Sequence, residues 1–98
     1  MSIIRCLSNP EGLYIIYSSN GVEIMRPYPE ETICVNEQDF DDFMSGAKVS
    51  MPIYREHEYK NLKVYSTEDF KTCLEIDGKK IIMWDVTWFY IVNNMGYW

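Results

Sequence analysis

The segment from Lys80 to Val92 has apolar residues at every second position, the longest run of one hydrophobic period in the chain. Every even position from Ile82 to Val92 is apolar, whereas the odd set is mixed and has Asp85 and Thr87 at its middle. Alternate side chains of a strand point to opposite faces, so we expect the even set to face a core and the odd set to be partly covered.

A helix over the second half of this segment is the competing interpretation. Asp85 is a residue type that caps helix N-termini. β-branched and aromatic residues are more typical of strands, and they dominate the positions that follow. These residues are Val86, Thr87, Trp88, Phe89, Tyr90, Ile91 and Val92. The pattern therefore favours a strand, with a helix from Asp85 as the alternative.

Two dipeptides between apolar runs predict β-hairpins. Asn20-Gly21 separates residues 13–17 from residues 22–26, and Asp77-Gly78 separates residues 74–76 from residues 80–84. Asn-Gly and Asp-Gly favour type I′ turns because both positions of that turn need positive φ. The segment 80–92 is thus expected to enter the sheet as the return arm of the second hairpin.

A short amphipathic helix is predicted over about residues 37–45. Asn36 suits the N-cap position, and Phe40, Phe43 and Met44 share one helical face. Gly46 stands where a glycine often follows a helix end.

Shorter patterns indicate the remaining elements. Strands are predicted at 3–7, 32–35, 49–54 and 62–65, a polar loop at 55–61 and a turn of helix within 66–73. Together these elements predict an α+β fold: an antiparallel sheet of five to seven strands built from two hairpins, with the 37–45 helix on one face. The length of 98 residues suits a single domain over residues 1–98.

The net charge of −6 lies entirely in the first half of the chain. Residues 1–47 carry eight carboxylates against two arginines, whereas residues 48–98 carry seven carboxylates against seven Lys and Arg. Between Pro27 and Ala47 there are six carboxylates and no basic residue: Glu30, Glu31, Glu37, Asp39, Asp41 and Asp42. Such a patch repels nucleic acid and attracts a basic surface.

Aromatic residues are more numerous than a small core can enclose, with eight Tyr and three Trp. Tyr and Trp commonly anchor protein interfaces, although both also tolerate half-burial in a sheet. We expect Tyr28, Phe43 and Tyr97 to supply contact area beside the acidic patch.

Candidate catalytic and metal sites are weak in this sequence. His57 is the one histidine and lies between two glutamates in a polar stretch, where a solvated loop is the simpler interpretation than a metal ligand. Cys6, Cys34 and Cys73 form no CxxC pair, and their odd number favours reduced, mostly buried thiols. Each glycine is explained by a turn or a helix end, so no phosphate-binding loop is predicted. We expect no catalytic residues, no metal and no cofactor.

The chain has no apolar run of membrane-spanning length, and its N-terminus lacks the pattern of a signal peptide, which together predict a cytoplasmic protein.

The hypothesis that follows is a small acidic binding protein without catalysis, with no direct contact to nucleic acid or membrane. It would inhibit a larger basic protein, for example one that binds nucleic acid, as phage counter-defence proteins and toxin-immunity proteins do. The alternative is a homo-oligomeric structural or accessory subunit, such as a homodimer, whose interface is the odd face of the 80–92 strand, where Phe89 and Ile91 lie. A small enzyme ranks third.

Overall fold

The chain folds as two consecutive units, each an antiparallel sheet followed by a helix. The computed structural model describes residues 3–8, 12–50 and 56–94. The first sheet has the order β1 (Ile3–Ser8), β2 (Tyr14–Ser18), β3 (Gly21–Pro27) and β4 (Glu30–Val35), and α1 (Glu37–Ser50) follows it. The second has the order β5 (Glu56–Tyr59), β6 (Leu62–Ser66), β7 (Lys71–Ile76) and β8 (Lys79–Trp84), and α2 (Asp85–Asn94) follows it.

This architecture confirms the α+β class and corrects its details. The described strands form two four-stranded sheets, not one sheet of five to seven strands, and a second helix is present. Alternation along a strand shows that one face is buried, but it does not show which strands share a sheet. The eight described strands exceed the five to seven predicted, and their division into two sheets was not predictable from the pattern.

Both predicted hairpins are present, although only the second turns as expected. Asp77 and Gly78 have φ values of 50° and 82°, which suits the type I′ turn. In the first hairpin Ser18 pairs with Gly21, so the turn residues are Ser19 and Asn20. Gly21 has φ of 118°, and a Cβ there would lie 2.7 Å from the backbone oxygen of Val35. Position 21 therefore requires glycine for both its conformation and its space.

The segment predicted as the loop 55–61 contains strand β5 from residue 56 to residue 59. Its inward positions are His57 and Tyr59, which are half-buried, while the two glutamates face solvent. The polarity of these residues concealed the alternation.

Two further segments also differ from their predictions. Residues 67–70 form a turn in which the Thr67 N–H bonds to the Lys71 oxygen at 2.7 Å, and not a turn of helix. The strand predicted at 49–54 begins inside α1, and its remaining residues lie outside the described ranges.

Helix α1 begins as expected and ends later. The Asp39 N–H donates to the Asn36 side-chain oxygen at 3.2 Å, which confirms the N-cap. Phe40, Phe43 and Met44 are fully buried. The helix continues to Ser50, so Gly46 lies in its interior and is not its C-terminal glycine.

Gly46 is the place where the second sheet meets α1. The His57 ring of β5 packs against this glycine, and a Cβ at position 46 would overlap the ring. The ring nitrogen Nε2 of His57 lies 3.1 Å from the carbonyl oxygen of Phe43, and the two rings are 5.2 Å apart at their centroids. Glycine in a helix costs about 1 kcal/mol relative to alanine. Here its missing side chain makes room for the histidine.

The 80–92 segment is a strand only as far as Trp84. Ile81 and Met83 are buried, whereas Ile82 and Trp84 are exposed, so the prediction that the even set faces the core is wrong. From Asp85 the chain is helical, and the alternative interpretation is the correct one. The Asp85 carboxylate accepts a bond from the buried Thr72 hydroxyl at 2.5 Å.

The alternating segment 80–92 also contains apolar residues at helical spacing. Thr87, Trp88, Ile91 and Val92 of α2 are buried, and Val86 and Tyr90 are exposed. This pattern fits a period of 3.6 residues. Burial of one face therefore outweighed the strand preference of the β-branched residues, as tertiary packing commonly does.

Both units contribute to one buried cluster. Ile15, Ile24 and Ile33 lie opposite one another on the inner face of the first sheet, and Val64, Leu74 and Ile81 do so on the second. All six belong to the same core as the buried faces of α1 and α2.

We predict that the effect of Gly46→Ala on the free energy of unfolding has opposite signs with histidine and with alanine at position 57. In the wild-type background the new methyl displaces the His57 ring and destabilises the protein by about 1–2 kcal/mol. In a His57→Ala background the same change stabilises it by about 0.5–1 kcal/mol, because alanine is the better helix former. Urea denaturation of the four proteins measures both values. An equal effect of Gly46→Ala in the two backgrounds would contradict the packing described.

Candidate functional site

The first two turns of α1 carry four carboxylates, Glu37, Asp39, Asp41 and Asp42, which we call the acidic face. Glu37 and Asp42 are exposed, and the other two are half-buried. Acidic side chains are stabilised in the first turn of a helix by the positive end of its dipole. The helix's own Lys48 lies in its last turn.

Neighbouring side chains hold these carboxylates in place. Lys60, in the β5–β6 turn, pairs with Asp39 at 2.7 Å. The Tyr59 hydroxyl donates to Asp42 at 3.1 Å. The Tyr17 hydroxyl lies 3.5 Å from an oxygen of Asp41. No basic residue is close to these carboxylates in sequence. The fold nevertheless brings Lys60 beside Asp39, where it neutralises part of the charge of the acidic face.

The pairing changes the pKa of Lys60. Its hydrogen bond to Asp39 and the charge of that carboxylate raise the pKa of Lys60 above the ordinary value of 10.5. Lys63 behaves in the same way, because Glu56 lies 3.2 Å away and raises the pKa of that lysine.

The predicted acidic patch does not form one surface. Glu30 and Glu31 lie at the start of β4, next to the β3–β4 turn, whereas the acidic face follows the end of that strand. Val35 is four positions along the strand from Glu31, which is roughly 13 Å of extended chain. Glu30 and Glu31 therefore belong to the opposite end of the first sheet.

The three residues predicted to contact a partner differ in their positions. Tyr28 is 91% exposed, but it lies at the β3–β4 turn beside Glu30 and away from α1. Phe43 is fully buried, so its predicted role in partner contact is wrong. Its spacing with Phe40 and Met44 had already marked it as a core residue. Tyr97 lies outside the described residues.

The alternative oligomer interface is also not assembled as predicted. Residues 80–92 do not form one strand, and Ile81, Met83 and Ile91 of its odd set are buried in the core. Phe89 retains 36% exposure on the outer side of α2.

A second surface, which the sequence did not reveal, lies between the β3–β4 turn and the edge strand β8. It is a shallow groove of about 550 Å³. The described residues that line it are Arg26, Tyr28, Pro29, Lys71, Ile82, Met83 and Trp84. We call it the aromatic groove. It brings together residues more than fifty positions apart in the chain, so local patterns could not indicate it.

Arg26 holds the two sides of the aromatic groove together. Its guanidinium donates from Nη1 to the Ile82 carbonyl at 2.7 Å and from Nε to the Pro29 carbonyl at 3.1 Å. On the other side, the Lys71 ammonium lies 5.2 Å from the centre of the Trp84 ring, within the range of a cation–π interaction.

The thiols and the imidazole lie on different faces. His57 points from β5 towards α1, whereas Cys73 is paired with Tyr65 on the opposite face of the second sheet. Cys6 and Cys34 are exposed on the outer face of the first sheet, so the expectation of mostly buried thiols fails for two of the three. The structure therefore brings no cysteine beside His57.

Metal and membrane features were also sought in residues 3–8, 12–50 and 56–94. Within these ranges, no three His, Cys, Asp or Glu side chains are arranged to hold a metal ion. Neither helix there has the length and apolarity needed to cross a bilayer.

Comparisons of the chain with protein-family models, with curated proteins and with solved structures found no match.

We predict that Asp39→Asn lowers the pKa of Lys60 towards its ordinary value and leaves that of Lys63 raised. Because the folded-state pKa of Lys60 exceeds the unfolded value, its pair with Asp39 stabilises the protein below about pH 10.5. That contribution is lost as the pH rises through the raised pKa. NMR titration of the lysine side chains measures both groups in one experiment. A Lys60 pKa unchanged by the substitution would show that the pair does not form in solution.

Proposed function

We propose that the protein is a small non-catalytic binding protein that inhibits a larger basic protein by covering a basic surface with the acidic face of α1. The observation that carries the proposal is the display of four carboxylates on the first two turns of one helix, three of them contacted by side chains of neighbouring elements. Phage counter-defence proteins and toxin-immunity proteins act in this general way, and a basic site that binds nucleic acid is the kind of target that such a face fits.

The rigidity of the display supports this function. The helix is anchored by Phe40, Phe43 and Met44, so its outward positions cannot rotate into the core. Hydrogen bonds to Asp39 and Asp42 further restrict two of the carboxylates. Groups that are already ordered lose less conformational entropy on binding, so more of the electrostatic attraction appears as affinity.

The charge balance also favours a basic partner. Lys60 contributes one positive charge to a face with four carboxylates, and Glu37 and Asp42 are exposed. Complementary charges accelerate encounter and select the partner, and both effects weaken as salt screens them. The contact of such an inhibitor with its target should therefore be salt-dependent.

The test compares two variants with the same change in net charge. Glu37→Gln with Asp42→Asn removes two carboxylates from the acidic face. Glu58→Gln with Glu68→Gln removes two exposed carboxylates from the second unit and serves as the control. Each protein is used as bait in lysate of the source cell at low and at high salt, and the captured protein is then titrated by calorimetry.

We expect the wild type and the control to capture the same larger basic protein at low salt and to release it at high salt. The acidic-face variant should bind that protein about tenfold more weakly, since close charge pairs across an interface contribute on the order of 1 kcal/mol or more. Equal affinities of the two variants would refute the proposed role of α1. Capture of no basic protein by the wild type would refute the function itself.

A further inference from the structure

The aromatic groove differs in charge from the rest of the molecule. The whole chain carries 15 Asp and Glu against nine Lys and Arg. Among the described residues that line the groove, however, the two charged side chains are Arg26 and Lys71, and both are cations. The groove is therefore a local positive site on an acidic protein.

Two hydrogen bonds hold the Arg26 guanidinium in position. Both of its hydrogen bonds go to neutral backbone carbonyls. Glu31 lies opposite Arg26 across the β3–β4 hairpin, but within the described part of the chain no carboxylate comes within ion-pair distance of this guanidinium. A planar guanidinium with N–H groups to spare is well suited to bind a carboxylate.

Lys71 is held in place less firmly than Arg26. Its ammonium lies 3.5 Å from Asp69, whose side chain is 66% exposed, and it also lies over the Trp84 ring. Exposed pairs of this kind contribute little to stability, so Lys71 can turn towards a bound anion at low cost.

Two exposed aromatic rings complete the groove. Tyr28 is 91% exposed and Trp84 is 52% exposed, and the Ile82 side chain of β8 is 44% exposed. Large apolar side chains gathered at one place on a surface commonly mark a contact with another molecule.

The position of Arg26 also limits how a partner can bind. Its bond to the Ile82 carbonyl covers a point on the free edge of β8 where an added strand would need to bond. The groove therefore suits recognition of side chains and not extension of the second sheet.

We propose that the aromatic groove binds an acidic segment of a partner protein that carries apolar side chains. A carboxylate of the segment pairs with Arg26 and Lys71, and a neighbouring apolar side chain packs between Tyr28 and Trp84. Single-stranded nucleic acid also offers negative charge and stacking bases, but the net charge of −6 opposes a polyanion. The groove lies at the opposite end of β4 from α1, so this inference does not depend on the proposed function.

The experiment uses the full chain and three defined probes. The first is a hexapeptide of alternating glutamate and leucine, the second is its lysine–leucine counterpart, and the third is hexathymidylate. NMR follows the indole N–H of Trp84, assigned with Trp84→Phe, and the Nε–H of Arg26. We expect the glutamate–leucine peptide to shift both signals saturably and to bind at least about fivefold more tightly than either other probe.

Variants assign the effect to the groove. Arg26→Gln should weaken binding of the glutamate–leucine peptide about fivefold. Lys79→Gln removes an exposed cation of β8 outside the groove and should leave it unchanged. Because Arg26 also braces the β3–β4 turn, Tyr28→Ala provides a second test that leaves those hydrogen bonds in place, and it should weaken binding several-fold. Equal binding of the two peptides, equal effects of Arg26→Gln and Lys79→Gln, or tighter binding of hexathymidylate would overturn the proposal.

Discussion

The contact between Phe43 and Trp88 links the two units of this protein. Their ring centres are 6.2 Å apart at an angle of 67°, an edge-to-face arrangement, and both side chains are fully buried. Phe43 also meets Phe40 of its own helix and His57 of the second sheet, and Phe40 meets Tyr17 of the first sheet. Each unit has about 50 residues or fewer, and a domain of that size buries a small core and is only marginally stable by itself. Sharing the core removes that deficit.

The same packing determines what the surface can present. With Phe40, Phe43 and Met44 turned inwards, Asp42 faces solvent and Asp39 lies at the half-buried edge of the helix. The contact of His57 with Phe43 and Gly46 brings β5 against α1, so the end of β5 places Tyr59 beside Asp42 and the following turn places Lys60 beside Asp39. The acidic face is thus partly ordered by the residues that join the two units. Its geometry depends on the core as well as on local helix formation.

Local signals in the sequence were sufficient for the parts of the fold that depend on a few neighbouring residues. The Asp77-Gly78 turn and the Asn36 cap follow from backbone conformation and hydrogen bonding within four residues, and both are present. The change from strand to helix at Asp85 was open in the sequence, because an alternating apolar run also contains helical spacing. Only the inward packing of Trp88 decides between a strand and a helix.

Features that depend on distant contacts were not accessible from the sequence. Gly46 looked like a helix end because the ring that fills its place comes from another element. Lys60 is far in sequence from Asp39, so the acidic face seemed unneutralised. The aromatic groove joins the β3–β4 turn to β8 through Arg26 and was missed for the same reason. In contrast, the burial of Phe43 was predictable from its helical spacing, and its assignment to an interface disregarded that signal.

The central claim is that one core joins both units through Phe43. Native-state hydrogen exchange of the wild type and of Phe43→Leu tests it directly, because amides of each sheet report separately on their local free energy of opening. If the core is shared, the most protected amides of β2 and β3 and those of β6 and β7 should lose protection together, by about 1–2 kcal/mol. A loss confined to one sheet would show that the units are stabilised independently and would contradict the account.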